Sequence, residues 1–274
     1  MKYEIYPPAK ALAHIVKQYM VIHSLKDIEK LLFLPNGGNF IVFNRGMKAC
    51  SELYSGETFD IPKNYSVSIK TNKVKKATLY PDNDLENICF PLILVELLPI
   101  GFYKLFHEDA AILNDGYMEI DDGLVETYFR ELYKHETLEQ ELDYLNESLI
   151  KLDAYRANTR LCIEDLLEKM IDEHRYEVTV KDLVDDFGCS RSTMERQFKK
   201  YIGLTPKNFI LVSKFTQTLL SYIEDNRTLK DLDYIYSDNS HMNRVFKNIL
   251  GIVPSEIFQE VSAENLNIYQ RSSI

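Results

Sequence analysis

SRSTMERQFKKYIGLTP, residues 190–206, returns 48 positions later as DNSHMNRVFKNILGIVP, residues 238–254. At that offset Ser192 falls on Ser240, Met194 on Met242, Arg196 on Arg244, Phe198 on Phe246, Lys199 on Lys247, Gly203 on Gly251 and Pro206 on Pro254. A Gly and a Pro recur at fixed distances from a Phe-Lys pair, which marks an internal duplication. A duplication has to be settled before any other reading of the fold.

The first copy reads as helix, turn, helix. Thr179 followed by Asp182 has the spacing of a capping box, and Val180, Leu183, Val184 and Phe187 then share one helical face. Gly188 and Cys189 break that helix, and Ser190 caps the next, which places Met194, Phe198 and Ile202 on its buried side. Gly203 stands where a left-handed residue ends the helix, and Thr205-Pro206 opens a third helix, from about Pro206 to Glu224. The outer face of the middle helix carries Arg191, Ser192, Thr193, Glu195, Arg196, Lys199 and Lys200. This is the layout of a helix-turn-helix, whose second helix enters the major groove.

Leu183-Val184, Ser190, Met194, Arg196, Phe198-Lys199, Gly203 and Thr205-Pro206 together resemble the AraC-type transcription regulators, as do Asp238 to Met242, Arg244, Phe246-Lys247, Gly251 and Pro254 in the second copy. The resemblance covers roughly the last hundred residues. It implies a C-terminal DNA-binding domain of two helix-turn-helix units joined by a linker helix, and RNA polymerase as a partner. The second copy departs from the family. Leu232-Asp233-Tyr234-Ile235-Tyr236-Ser237 replaces the expected Ile-Ala and Gly-aromatic pairs, so its positioning helix is shortened or shifted in register.

A linker helix of nineteen residues is about 28 Å long at 1.5 Å per residue. That approaches the ~34 Å repeat of DNA, so both recognition helices can enter successive major grooves. The expected base-edge contacts are Arg191, Ser192, Thr193, Glu195 and Arg196, with Arg196 alternatively paired to an acidic neighbour. Lys199 and Lys200 are expected at phosphates. The second copy contributes Asn239, His241, Asn243, Arg244 and Lys247. Each of these side chains also reads as ordinary solvated surface.

The chain has 274 residues, enough for about two domains, and 45% hydrophobic residues. Its net charge of −10 is unevenly spread: residues 1–173 hold 19 Lys+Arg against 29 Asp+Glu, whereas residues 174–274 hold 13 of each. A neutral module binds DNA through locally clustered cations, here Arg191, Arg196, Lys199, Lys200 and Lys207. The most apolar stretch, 89–102, is interrupted by Pro91, Glu96 and Pro99, so no membrane span is expected. The N-terminus lacks a secretory pattern, and Cys50, Cys89, Cys162 and Cys189 form no C-x-x-C, which fits reduced thiols and a cytoplasmic location.

Before residue 120 the pattern is mostly strand-like. Pro8 is expected to start a helix with Leu12, Ile15, Val16 and Tyr19 on one face. Asn36-Gly37-Gly38 signals a turn before a strand at Asn39–Phe43. Tyr65, Val67 and Ile69 alternate with polar residues, and 76–80 and 88–97 add two strands. Short strands separated by turns suggest a small barrel or sandwich. The runs Phe33-Leu34-Pro35-Asn36-Gly37 and Leu98 to Phe106 resemble the barrel-like N-terminal domain of many AraC-type proteins, a ligand-sensing or interaction module. Tyr and Phe side chains suit either a small-molecule effector or plain core filling, and Arg45 and Lys104 either steer an acidic ligand or are solvated. His14, His23 and His107 show no metal-ligand spacing. No G-x-S-x-G, P-loop or G-x-G-x-x-G occurs, so no enzyme, metal or cofactor is expected.

Between 121 and 175 the chain reads as helical and acidic. Leu138, Leu142, Leu145, Leu149 and Leu152 are spaced like a short coiled-coil seam, read as a homodimer interface or as a helix laid on its own domain. A second helix presents Ile163, Leu166, Leu167, Met170 and Ile171, and the polar run 173–177 is the expected boundary. The expected architecture is therefore α+β: a barrel-like domain at 1–120, a helical dimerisation region at 121–175, and an all-α double helix-turn-helix domain at 176–274. The expected function is a sequence-specific DNA-binding transcription regulator. The alternative is a regulator-derived interaction module whose second helix-turn-helix has lost DNA reading.

Overall fold

The computed structural model describes residues 2–24, 31–33, 37–43, 49–52, 58–61, 66–68, 75–78, 91–114, 117–156, 160–172, 178–224, 236, 238–250 and 253–254. Two antiparallel sheets, all but one of whose strands end by Leu97, come before most of the helices. The larger has the order β1 (Lys2–Tyr6), β2 (Val16–Ser24), β9 (Leu92–Leu97), β4 (Asn39–Phe43), β7 (Ser66–Ser68), β10 (Tyr117–Met118). The smaller has the order β3 (Leu31–Phe33), β8 (Lys75–Thr78), β5 (Ala49–Glu52), β6 (Thr58–Ile61). Of the expected small barrel or sandwich, barrel closure is not seen: among the described residues no strand pairing joins the two sheets, which are open. Arg45, Tyr65 and Ile69 lie outside the described residues.

The expected helix after Pro8 is not there. A single 3-10 turn at Lys10–Leu12 leads into β2. The reason is burial on both faces of β2, which pairs with β1 on one side and β9 on the other. Tyr19 and Val21 pack on one side of the sheet while Met20 and Ile22 are buried on the other. A strand apolar on both faces satisfies a helical spacing by accident, and its β-branched Val16, Val21 and Ile22 favour the extended form. On the second face Glu96 is buried too, with the Gln18 Nε2–H donating to it at 2.6 Å.

The first core lies between the larger sheet and the helices α1 (Gly101–Phe106) and α3 (Leu138–Arg156); a short helix α2 (Asp122–Leu124) runs between them into a π turn at Val125–Phe129. Leu142, Leu145, Leu149 and Leu152 of α3 are buried against Tyr19, Phe43, Val95 and Phe102. The leucine seam thus covers the chain's own sheet, which corrects its reading as a dimer interface. Asn146 locks the contact by accepting from the Tyr19 hydroxyl at 2.7 Å and from the Ala9 amide at 2.8 Å. Burial pushes the Tyr19 phenol above its ordinary pKa.

The second core gathers α4 (Cys162–Asp172), α5 (Val180–Phe187), α6 (Arg191–Ile202) and α7 (Pro206–Glu224). Ile163, Leu166 and Leu167 of α4 pack there with Leu183, Met194, Phe198, Ile202 and Phe209, and so does Ile100, from just before α1. The run 173–177, expected as the domain boundary, lies outside the described residues. The last described helix is α8 (Asn239–Leu250), which packs on α7 through Phe246 and Phe215, ring centroids 4.9 Å apart.

Candidate nucleic-acid interface

Local hydrogen-bond chemistry sets the ends of the first helix-turn-helix. Thr179 Oγ1 accepts from the Asp182 amide at 3.2 Å, and the Asp182 carboxylate accepts from the Thr179 amide at 2.8 Å, closing a capping box on α5. The Thr179 hydroxyl, which also donates to that carboxylate at 2.7 Å, and then the Thr179 amide hold the Asp182 carboxyl below its ordinary pKa. Gly188, at φ +63°, ends α5 in the left-handed region. Ser190 caps α6 through the Thr193 amide at 3.1 Å, and Gly203, at φ +82°, ends it. Thr205 caps α7 through the Asn208 amide at 3.2 Å. Each of these ends falls where the residue chemistry required it.

With Met194, Phe198 and Ile202 buried, the opposite side of α6 is open. Arg191, Ser192, Arg196, Lys199 and Lys200 are exposed, Thr193 and Glu195 half-buried. Arg191 Nε donates to Glu195 Oε1 at 3.0 Å, and the Thr193 hydroxyl lies 2.9 Å from that of Ser190. In the second copy Met242, Val245 and Phe246 are buried, while Asn239, Ser240, Asn243, Arg244 and Lys247 are exposed. Asp238 caps α8 by accepting from the His241 amide at 2.7 Å, and the His241 ring lies edge-on to Tyr236 at 5.7 Å. The positioning helix expected over 232–237 falls largely outside the described residues.

The C-terminal end of α6 is docked on the N-terminal part of the chain, which the sequence did not announce. α6 packs against α1 and against the 3-10 turn Ala110–Leu113. The Gly203 backbone comes so close to this turn that a Cβ there would lie 2.4 Å from the Ala110 carbonyl oxygen. Asn114 Nδ2 donates to the Gly203 carbonyl. Tyr201 meets Tyr103 edge-to-face at 4.6 Å, and Lys200 Nζ sits 5.4 Å from the centroid of each ring. Lys200 therefore leans toward Tyr103 at the docked end.

Lys104 closes this seam. Its Nζ lies 2.7 Å from Glu164 Oε2, with the two side chains 5% and 8% exposed. Neither sequence reading of Lys104, ligand steering or a solvated surface, holds. It is the N-terminal half of a buried ion pair to α4. A long apolar run broken by one Lys (Leu98 to Phe106) was the available signal, but nothing in it named Glu164. On another edge, Gly37 approaches α7 so closely that a Cβ would lie 2.8 Å from Phe209 Cε2. Among the described residues no cluster of three His, Cys, Asp or Glu side chains could hold a metal, and no helix is long and apolar enough to cross a membrane.

Capped helix, short turn, capped helix with a polar outer row is the geometry of a helix-turn-helix domain. Residues 183–260 match the family model described as "Helix-turn-helix domain". Among solved structures, the chain is similar to ToxT from Vibrio cholerae, at 10% identity and a TM-score of 0.48 over 95% of this chain and 98% of that one. The apo form of a ToxT variant gives 11% identity and a TM-score of 0.47 over 89% and 98%. The AraC-like transcriptional activator CuxR gives 14% identity and a TM-score of 0.25 over 78% and 76%. A comparison with curated protein sequences finds no match.

Proposed function

We propose that the chain is a sequence-specific DNA-binding transcription regulator, with α6 and α8 reading successive major grooves and the N-terminal sheets serving as a sensing or interaction domain. The observation that carries this reading is the duplicated pair of capped helices, each with its Met and Phe buried and its polar row open, within a region matched by a helix-turn-helix family model. Base edges are assigned to Arg191, Ser192, Thr193, Glu195 and Arg196 on α6, and to Asn239, His241, Asn243 and Arg244 on α8. Lys199, Lys247 and Lys207 are assigned to phosphates, and Lys200 joins them only in part because it lies over Tyr103. A small-molecule effector in the N-terminal part, RNA polymerase as a partner and a cytoplasmic location belong to the same proposal. So does a homodimer, whose interface lies away from the buried leucine seam. No catalysis is assigned.

Quantitative binding to duplex DNA across a salt series tests this. Arg191→Ala with Thr193→Ala should change sequence preference, while Lys199→Ala should weaken binding to all sequences and lower the salt slope by about one. Unchanged binding in both would refute the assignment. The alternative, an interaction module that no longer reads DNA, is favoured by the neutral charge of residues 174–274 and the altered run 232–237. Recovery of specific genomic fragments on the purified chain separates the two.

A further inference from the structure

The two polar faces are the same grid with some positions altered. Counting from the caps Ser190 and Asp238, equivalent positions are Arg191 and Asn239, Ser192 and Ser240, Glu195 and Asn243, Arg196 and Arg244, Lys199 and Lys247. The register is fixed structurally, since each cap oxygen accepts from the amide three residues on and each helix buries its Met and Phe at matching places. Three of these five positions are identical, while Thr193 faces His241 and Lys200 faces Asn248 at the same offset. Of the positions that differ, 191/239 and 195/243 are four residues apart, hence neighbours on one row of the helix. They lie in the N-terminal half of their helices, the part of a recognition helix that reaches base edges.

The alteration has a definite chemistry. On α6 the row presents a guanidinium and a carboxylate side by side, Arg191 Nε to Glu195 Oε1 at 3.0 Å, with side chains 71% and 43% exposed. A donor fork beside an acceptor complements the major-groove edge of a G·C pair, where guanine offers O6 and N7 and cytosine its N4 amino group. On α8 the same row presents two exposed amides, Asn239 and Asn243. An amide, with one acceptor and one donor, complements adenine N6 and N7.

We propose that α6 and α8 are one reader changed along the row of Arg191 and Glu195, so that the two half-sites differ there: G·C under Arg191 and Glu195, A·T under Asn239 and Asn243. The proposal rests on the reading that both helices enter the major groove. The shared Ser, Arg and Lys positions give the half-sites their common features.

Selection of the intact chain on a random duplex library tests it. The expected motif has two half-sites about 10 base pairs apart, with G·C at a position in one where the other has A·T. The double variant Arg191→Asn with Glu195→Asn should turn that G·C into A·T and leave the other half-site unchanged. The reciprocal Asn239→Arg with Asn243→Glu should do the converse. A bidentate contact corresponds to a preference of roughly 5- to 150-fold over the wrong base. Because none of the four side chains is buried, both variants retain the buried Met and Phe. Variants that select the same motif as the unaltered chain would overturn the proposal alone. An unaltered chain that enriches no sequence would overturn it together with the DNA-binding reading.

Discussion

Gly203 does two jobs with one missing side chain. At φ +82° it ends α6, and its Cα side faces the Ala110 carbonyl. Gly188 does only the first, since nothing lies within 4 Å of where its Cβ would be. Gly188→Ala should therefore cost about 1–2 kcal/mol, the penalty of a left-handed residue. Gly203→Ala should cost more, because it also pushes the Ala110–Leu113 turn off the helix. Thermal unfolding of the two variants measures the difference, and equal losses would refute the close approach. Asp182 makes a second prediction. Its folded pKa is lowered, so its stabilisation is present above the unfolded value and disappears as pH falls through the folded one. The protection of amides at the start of α5, relative to their intrinsic exchange rates, should fall in acid below the ordinary carboxylate value of 3.8, and Asp182→Asn should remove that acid dependence.

Among the elements, α3 shows how an identical pattern serves either of two partners. The 4-3-4-3 leucine spacing is what a dimer seam and a helix on its own sheet both need, because either way one stripe must leave water. Packing decides for the sheet. Leu145→Ala should cost about 2–5 kcal/mol by emptying a filled core. That loss should be the same at low and high protein concentration in thermal melts, whereas a dimer seam would make it depend on concentration. β2 is the converse case, a strand whose two apolar faces hid its period of two behind a helical spacing.

At the scale of the molecule, the ion pair of Lys104 with Glu164 joins α1 to α4, and so the N-terminal part to the helices that follow. Removing one partner leaves a buried charge alone, which should cost about 3–5 kcal/mol. Lys104→Met should lower the unfolding midpoint, and Lys104→Met combined with Glu164→Leu should recover most of the loss, since a well-packed apolar pair is roughly as stable as a buried ion pair. A double variant no better than the single one would show that the charges act independently. With Ile100 in the core of the helix-turn-helix and Gly37 under Phe209, this helical unit is held to the N-terminal part at several points.

The residues alone determined what depends on neighbours a few positions away. The caps at Thr179, Ser190 and Thr205, the stops at Gly188 and Gly203, the span Pro206–Glu224 and the duplicated buried Met and Phe are all local, and a helix end answers to its own orphan amides and carbonyls. The tertiary structure decided what depends on partners distant in the chain. It chose sheet over helix for Val16–Ser24, sheet over dimer for the leucines of α3, and Glu164 over water for Lys104. In each of these the local pattern allowed two outcomes, and burial against a remote surface selected one.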